Sequence, residues 1–218
     1  AAGFSCANIS LLAHLDLPQF SSGPTAGHDI WGFVDLNTDR EYAIIGVNNG
    51  TGFFDVSDPV NPFLVGLIPG QSTSWRDIKV YQFFDDNLNR WQAYAYVTAD
   101  GATDGLFIVD LTGLPHSVAK VSFGSDFSRA HNVFAANTDY STGVSLTGSV
   151  PQLIVAGSNI SASAVNHGQF RIYSLANPRA PSFVGTAPAA GDMHDVTTFF
   201  VTDQRKDSQC VNATAVSA

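Results

Sequence analysis

Short apolar runs separated by turn-forming residues fill most of the chain. Runs of four to eight residues rich in Val, Ile, Phe and Tyr are typical of β-strands, and no segment has the 3.6-residue period of an amphipathic helix. We therefore predict an all-β fold with three sets of four strands, at 29–36, 41–47, 51–56 and 63–68, at 78–84, 92–98, 106–111 and 118–123, and at 133–136, 152–156, 169–175 and 182–185.

One short motif opens each set, and a fourth copy of it follows the third set. The motif is a His or Arg, then Asp or Asn, then a β-branched residue, and it occurs within Gly27–Trp31, Trp75–Lys79, Ala130–Phe134 and Met193–Thr197. The copies begin at positions 28, 76, 131 and 194, which gives intervals of 48, 55 and 63 residues. A repeat of this length, with one strand set in each copy, is typical of propeller blades.

The repeat predicts a β-propeller of four-stranded blades, because each sheet needs neighbours to cover both of its apolar faces. We expect a lead-in segment at 1–27, blades at 28–70, 76–125, 131–188 and, in part, 194–202, with one strand at 196–201, and a polar tail at 203–218. Propellers have about four to eight blades, so we expect these units to be part of a larger ring. A β-sandwich also has short strands, but the long period of the repeat disfavours it.

The charge balance excludes some partners. Ten Lys and Arg residues against 19 Asp and Glu residues give a formal net charge of −9, which repels phosphate backbones and anionic lipid surfaces. Nucleic acid is therefore not expected as a partner. No segment approaches the roughly 20 consecutive apolar residues that a membrane-spanning helix needs.

Several features favour an exported protein. The chain begins Ala1-Ala2-Gly3 without Met, as expected after removal of a signal peptide. Cys6 and Cys210 either form a disulfide between the two ends or pair with cysteines outside this chain. Glycosylation sequons occur in four places, at Asn8, Asn49, Asn159 and Asn212.

The chain resembles the LVIVD-repeat proteins of the choice-of-anchor B family. The resemblance runs from about Cys6 to Val196 and is carried by His28–Gly32, Asp39–Ala43, Asn49–Thr51, Phe54–Pro59, Ser74–Tyr81, Ala130–Asn132 and Met193–Val196. It implies a secreted or cell-surface β-propeller and, because family members are commonly longer, further blades. Family members tend to have cysteines where this chain has Val155–Ser158 and Val196–Thr198, so no disulfide pairing carries over.

The opening motifs supply the candidate site. If each motif begins the innermost strand of its blade, the motif side chains converge at one mouth of a central channel, namely His28, Asp29, Asp77, His131, Asn132, His194 and Asp195. Carboxylates and imidazoles around an axis are able to hold a divalent ion, Ca²⁺ where oxygen ligands prevail and Zn²⁺ where His prevails.

A structural role for the same residues is the favoured interpretation. Asp and Asn side chains repeated in every unit are suited to accept hydrogen bonds from neighbouring blades, and buried polar groups need such partners. Arg76 in place of a His also brings a cation of its own, which opposes a bound metal ion. Trp31 and Trp75 either stack on a ligand such as a sugar or pack between blades.

No nucleophile elbow, phosphate-binding loop or paired-cysteine knuckle occurs in the sequence. We therefore expect an interaction or structural module rather than an enzyme, with an extracellular protein or glycan, or further blades of the same protein, as partner. The alternative is a metal-dependent hydrolase or oxidoreductase that uses the axial His and Asp side chains as ligands.

Overall fold

The computed structural model describes residues 7–158, 169–187 and 193–199. Twelve strands and one short 3₁₀ helix, Leu17–Gln19, are found in these residues. The strands are β1 (Gly27–Asp35), β2 (Arg40–Val47), β3 (Gly50–Asp55), β4 (Phe63–Pro69), β5 (Arg76–Asp85), β6 (Arg90–Ala99), β7 (Phe107–Asp110), β8 (Ala119–Val121), β9 (Asn132–Ala136), β10 (Gln152–Ser158), β11 (Gln169–Ser174) and β12 (Ser182–Ala187). The all-β prediction is confirmed.

The strands form three antiparallel sheets, and each sheet contains four strands in chain order. Sheet 1 is β1–β4, sheet 2 is β5–β8 and sheet 3 is β9–β12. The three sets of four strands predicted from the repeat are therefore confirmed, with ends that differ by a few residues. The first strands lie beside one another, since β1 contacts β5 and β5 contacts β9.

Sheet 2 is buried on both faces, and successive side chains of β6 point alternately toward sheet 1 and sheet 3. Ala93, Ala95 and Val97 face sheet 1, whereas Tyr94 and Tyr96 face sheet 3. Small side chains on one face let sheet 1 approach closely, and the tyrosines fill the space beside small residues of sheet 3 such as Ala135. Continuous burial of this kind makes a strand apolar along its whole length rather than on alternate positions.

The outer faces of the three-sheet stack are covered in part by non-strand segments. Phe20 and Leu17, in the lead-in, pack on Phe54 of sheet 1. At the other end, Met193 and Val196 pack on sheet 3. Residues 193–199 form no strand, so the strand predicted at 196–201 is wrong over the part that is described; residues 200 and 201 lie outside the described ranges.

The β9–β10 loop links sheet 3 back to sheet 1. The amide of Val34, in β1, donates to the carbonyl oxygen of Ser141 over 2.8 Å. The buried Gln82 side chain donates from Nε2 to the carbonyl oxygens of Val34, over 3.1 Å, and Thr142, over 2.8 Å. The extra length of this loop therefore serves to join all three sheets at the end opposite the opening motifs.

None of the helical segments in the described ranges has the length and apolar character of a membrane-spanning helix.

Candidate functional site at the start of the first strands

The first three opening motifs lie together because β1, β5 and β9 run side by side and each of these motifs lies at the start of its strand. Four of the predicted residues, His28, Trp75, His131 and His194, contribute rings to a single row. The ring centroids are 6.2 Å apart from His28 to Trp75, 5.7 Å from Trp75 to His131 and 4.0 Å from His131 to His194. We call these four residues the ring row. It contains one ring from each unit of the repeat.

Trp75 stacks between two imidazoles in the ring row. Its ring is inclined by 27° to His28 and by 17° to His131. Both faces of the indole are therefore occupied by protein. Trp31 also has protein neighbours: the Lys79 ammonium lies 4.4 Å from its ring centroid, and the Tyr140 ring meets it edge to face. Neither indole offers the free pair of faces on which a sugar would stack.

A buried carboxylate, Asp77, joins sheets 2 and 3. Its Oδ1 accepts the Ile78 amide over 2.8 Å and the Lys79 ammonium over 2.6 Å. Its Oδ2 accepts the Val133 amide of β9 over 2.8 Å. Burial raises the pKa of Asp77 to about 7, and the Lys79 charge opposes that rise. Asp77 therefore acts as the inter-unit acceptor that the structural interpretation predicts.

Lys79 is the internal cation of this cluster. Its ammonium lies 2.6 Å from Asp77 Oδ1 and 3.9 Å from Asp29 Oδ2, and it donates to the Ile78 carbonyl oxygen over 2.9 Å. Sequence reasoning missed Lys79, although its position two residues after Asp77 places both side chains on the same face of the strand. The ammonium occupies the position beside the two carboxylates that a metal ion would need.

Arg76 joins sheet 1 to sheet 2. The side chain is 1 % exposed, and its guanidinium donates from Nε to the Val47 carbonyl oxygen over 3.0 Å and from Nη2 to the Gln71 carbonyl oxygen. Desolvation lowers the pKa of Arg76. The side chain fits because Gly46 and Gly70 face it: a Cβ at Gly46 would lie 2.8 Å from the Arg76 Cβ. Arg76 therefore has a structural role, and its guanidinium is not available at the surface.

The third and fourth units differ from the second in exposure. His131 is half-buried, and its Nδ1 lies 2.8 Å from Asp100 Oδ2. His194 and Asp195 are exposed. Asp195 Oδ1 accepts the Val196 amide over 2.7 Å, as Asp77 Oδ1 does for Ile78. The repeat is therefore preserved in local geometry, while burial decreases toward the fourth unit.

Three enclosed polar atoms of the site have no hydrogen-bond partner in the part of the chain that the structure describes. They are His28 Nδ1, Trp75 Nε1 and Asn132 Oδ1. Burial and the nearby Arg76 charge lower the pKa of His28, which favours its neutral form. The indole N–H is a donor and the Asn oxygen an acceptor, so the site offers both kinds of group.

Within the described ranges, no group of three or more His, Cys, Asp or Glu side chains is placed to hold a metal ion. His131 and His194 are two neighbouring imidazoles that could act as metal ligands, and the Asp100 carboxylate lies on His131 Nδ1. A carboxylate on the second ring nitrogen is typical of a metal-binding His, but catalytic zinc sites use three protein ligands.

The other sequence candidates lie away from the ring row or outside the described residues. Asn8 is exposed. Asn49 is half-buried, and its Nδ2, the atom that a glycan would modify, donates to the Ser22 carbonyl oxygen over 2.9 Å. The structure does not describe four of the predicted residues, Cys6, Asn159, Cys210 and Asn212. No protein-family model matches the chain, and no curated protein matches it.

Proposed function

We propose that this chain is an extracellular or cell-surface β-propeller module of the LVIVD-repeat kind, and that it binds a protein partner through the ring row. The side-by-side packing of β1, β5 and β9, and the burial of both faces of sheet 2, support a propeller arrangement. The four glycosylation sequons support the proposed location.

The observation that carries the binding proposal is the ring row with its enclosed polar atoms. Trp75 Nε1, His28 Nδ1 and Asn132 Oδ1 have no partner in the described ranges. Buried polar groups in folded proteins are almost always paired, so such a group requires an explanation. These atoms are enclosed, so a partner reaches them only by displacing side chains at the exposed end of the ring row, and the backbone amides and carbonyls of a protein segment then supply both donors and acceptors.

A protein is favoured over a glycan because the indole faces are already occupied. Carbohydrate binding commonly uses a free aromatic face, whereas Trp75 stacks on His28 and His131. The exposed His194, at the end of the ring row, remains for contact. The ring nitrogens of an exposed imidazole form hydrogen bonds, so we expect the partner to be recognised by polar groups rather than by stacking.

The test compares two exposed histidines. The chain is immobilised and exposed to a mixture of secreted and cell-surface proteins, and bound proteins are quantified for wild type, His194→Ala and His116→Ala. Both residues are exposed, but only His194 is in the ring row. We expect a bound protein whose retention falls about tenfold in His194→Ala, corresponding to roughly 1.4 kcal/mol, and is unchanged in His116→Ala. Equal retention by all three proteins would refute the proposal.

A second candidate is a metal-dependent hydrolase or oxidoreductase, which the His131–His194 pair with Asp100 favours. A zinc ion with an open position would activate water there. Elemental analysis of purified protein, loaded with Zn²⁺ or Ca²⁺ and then dialysed, tests it. This candidate predicts one metal ion per chain and its loss in His194→Ala; absence of stoichiometric metal from wild type would eliminate it.

A further inference from the structure

An open apolar cleft of about 700 Å³ lies beside β1, between sheet 1 and the β9–β10 loop. Five aromatic residues line it, namely Trp31, Phe33, Tyr42, Phe134 and Tyr140. Among the described residues of the lining, Glu41 is the only one that carries a charge. A mostly apolar cavity of about 300–1,000 Å³ with a few polar groups is typical of small-molecule sites. None of the four ring-row residues lines this cleft, so it is a separate feature of the molecule.

Three of the lining rings stand perpendicular to one another. The Tyr140 ring meets the Trp31 ring edge to face, with centroids 6.0 Å apart and an interplanar angle of 78°. It meets the Phe134 ring in the same way, at 6.2 Å and 73°. We call Trp31, Phe134 and Tyr140 the aromatic corner. Walls made of several aromatic rings are the arrangement with which proteins bind quaternary ammonium groups, because the ring faces carry partial negative charge.

The turn that carries Tyr140 is held in place by hydrogen bonds. Asp139 Oδ1 accepts the Thr142 amide over 2.8 Å and the Ser141 amide over 3.1 Å. The Ser141 carbonyl oxygen in turn accepts the Val34 amide of β1 over 2.8 Å. The Tyr140 side chain is nevertheless 58 % exposed. A large exposed ring on a fixed turn is in position before a ligand arrives, which lowers the entropy cost of binding.

Glu41 determines the sign of the charge that the cleft accepts. Its side chain is exposed, and no ion pair of the described part of the chain involves it. The neighbouring Arg40 pairs with Asp55 instead, at 2.6 Å. The formal net charge of −9 also attracts cations over a longer range. The cleft therefore favours a positively charged ligand.

Lys79 does not change this preference. Its ammonium lies 4.4 Å from the Trp31 ring centroid, so the protein itself places a cation on one face of that indole. The same ammonium is paired with Asp77 at 2.6 Å. Because its charge is already compensated, Lys79 is not available as the partner of an anionic ligand.

We propose that the cleft binds an organic cation in which a quaternary ammonium group is joined to an apolar ring or chain. The ammonium group contacts the aromatic corner and the Glu41 carboxylate. The apolar part fills the rest of the cleft against Gly32, Ala43 and Val56, because an ammonium group alone is much smaller than 700 Å³. This inference concerns a different part of the surface from the ring row and does not depend on the function proposed above.

An NMR titration with benzyltrimethylammonium tests the proposal, with Tyr140→Ala and Glu41→Gln as variants. Phe84→Ala is the control for the first, because Phe84 is also an exposed ring that meets an indole edge to face, but it is absent from the cleft lining. Asp86→Asn, at an exposed position in the β5–β6 turn, is the control for the charge removed in Glu41→Gln.

Wild type should show saturable shifts of cleft amides with a dissociation constant of about 1 mM or less. Each cleft variant should raise this constant about fivefold, which is the size of a cation–π or exposed charge contribution. The two controls should bind as wild type does. Absence of saturable shifts in wild type, or equal binding by wild type and both cleft variants, would overturn the proposal.

A second pair of compounds isolates the charge. Choline is compared with dimethylbutanol, the neutral alcohol in which carbon replaces the charged nitrogen. Wild type should bind choline more tightly than the alcohol, and Glu41→Gln should reduce the difference. Equal affinity of wild type for the two compounds would show that the cleft selects apolar shape alone and would refute the organic cation.

Two further measurements complete the test. Gly32→Leu fills the cleft without a clash, since a Cβ at Gly32 meets no atom within 4 Å; a folded Gly32→Leu protein that binds benzyltrimethylammonium as wild type does would contradict the proposed site. Phosphatidylcholine vesicles present the same ammonium group on a surface. Co-sedimentation with them that Tyr140→Ala abolishes would assign a lipid headgroup as the source of the cation, whereas no co-sedimentation assigns a free molecule.

Discussion

Individual side chains at the opening motifs act mainly as connections between units. Asp77 accepts an amide from β9, and Arg76 donates to a carbonyl of β2. The Lys79 ammonium compensates the buried Asp77 charge. Removal of one partner from such a buried pair leaves an uncompensated charge, at a cost of about 3–5 kcal/mol. The motif is therefore explained by packing between sheets before any ligand is considered.

His28 should make the stability of the protein depend on pH. Burial and Arg76 lower the pKa of His28 in the folded state. Below about pH 6.5, the usual pKa of His, the unfolded chain takes up a proton that the folded protein resists, so the free energy of unfolding falls as the pH falls. Urea unfolding at pH 7.5 and 5.5 should show a smaller decrease for His28→Gln than for wild type. His116→Gln is the exposed control, and an equal decrease in wild type and His28→Gln would contradict the prediction.

Sequence reasoning located the motif residues but not their partners. The repeat placed His28, Arg76 and His131 at equivalent positions, and the structure brings them to one end of the sheets. It placed Trp75 beside a motif, as a residue that stacks on a ligand or packs between blades, but it did not predict that Trp75 would lie between His28 and His131, because that depends on the distance between β1, β5 and β9. Lys79 was missed for a similar reason: a Lys in a strand is normally exposed, and only burial of both strand faces makes it an internal cation.

At the scale of elements, the strands were predictable and their contacts less so. Period-two patterns and turn residues identified all twelve described strands to within a few residues. The expected strand after His194 is not formed over 193–199, where the chain packs on sheet 3 through Met193 and Val196 without a paired neighbour strand. A β-strand requires a hydrogen-bonded neighbour strand, and the local sequence pattern does not show whether such a neighbour is present.

Glycines at the contact between sheets 1 and 2 set the distance between them. A Cβ at Gly46, in β2, would lie 2.8 Å from the Arg76 Cβ and 3.4 Å from the His28 Cβ. We expect Gly46→Ala to lower the free energy of unfolding by about 1–3 kcal/mol, the usual cost of overpacking. Gly185→Ala in β12 is the control, since a Cβ there meets nothing within 4 Å. Urea denaturation measures both, and equal stability of the two variants would show that the sheets do not approach as closely as described.

At the scale of the whole molecule, the described part of the chain is a series of three sheets, and the first strands of neighbouring sheets contact one another. The sequence period indicated units of one kind, and three four-stranded sheets in chain order confirm them. The number of units in a closed ring did not follow from the sequence, because closure depends on what covers the first and last faces. The contrast between Ile30, which is 56 % exposed, and Ile78, which is 0 % exposed, could not be predicted either, since both residues occupy the same place in the repeat.

The central claim is that the opening motif of one unit bonds to the next unit, and the Val133 amide reports on it directly. In wild type, this amide of the edge strand β9 donates to Asp77 Oδ2. Its hydrogen exchange, measured by NMR, should be slow in wild type and at least tenfold faster in Asp77→Ala relative to amides in β6, because a hydrogen bond to a charged group contributes about 1.5–3 kcal/mol. A Val133 amide that exchanges in wild type as fast as an unstructured peptide, or that does not respond to Asp77→Ala, would contradict the account.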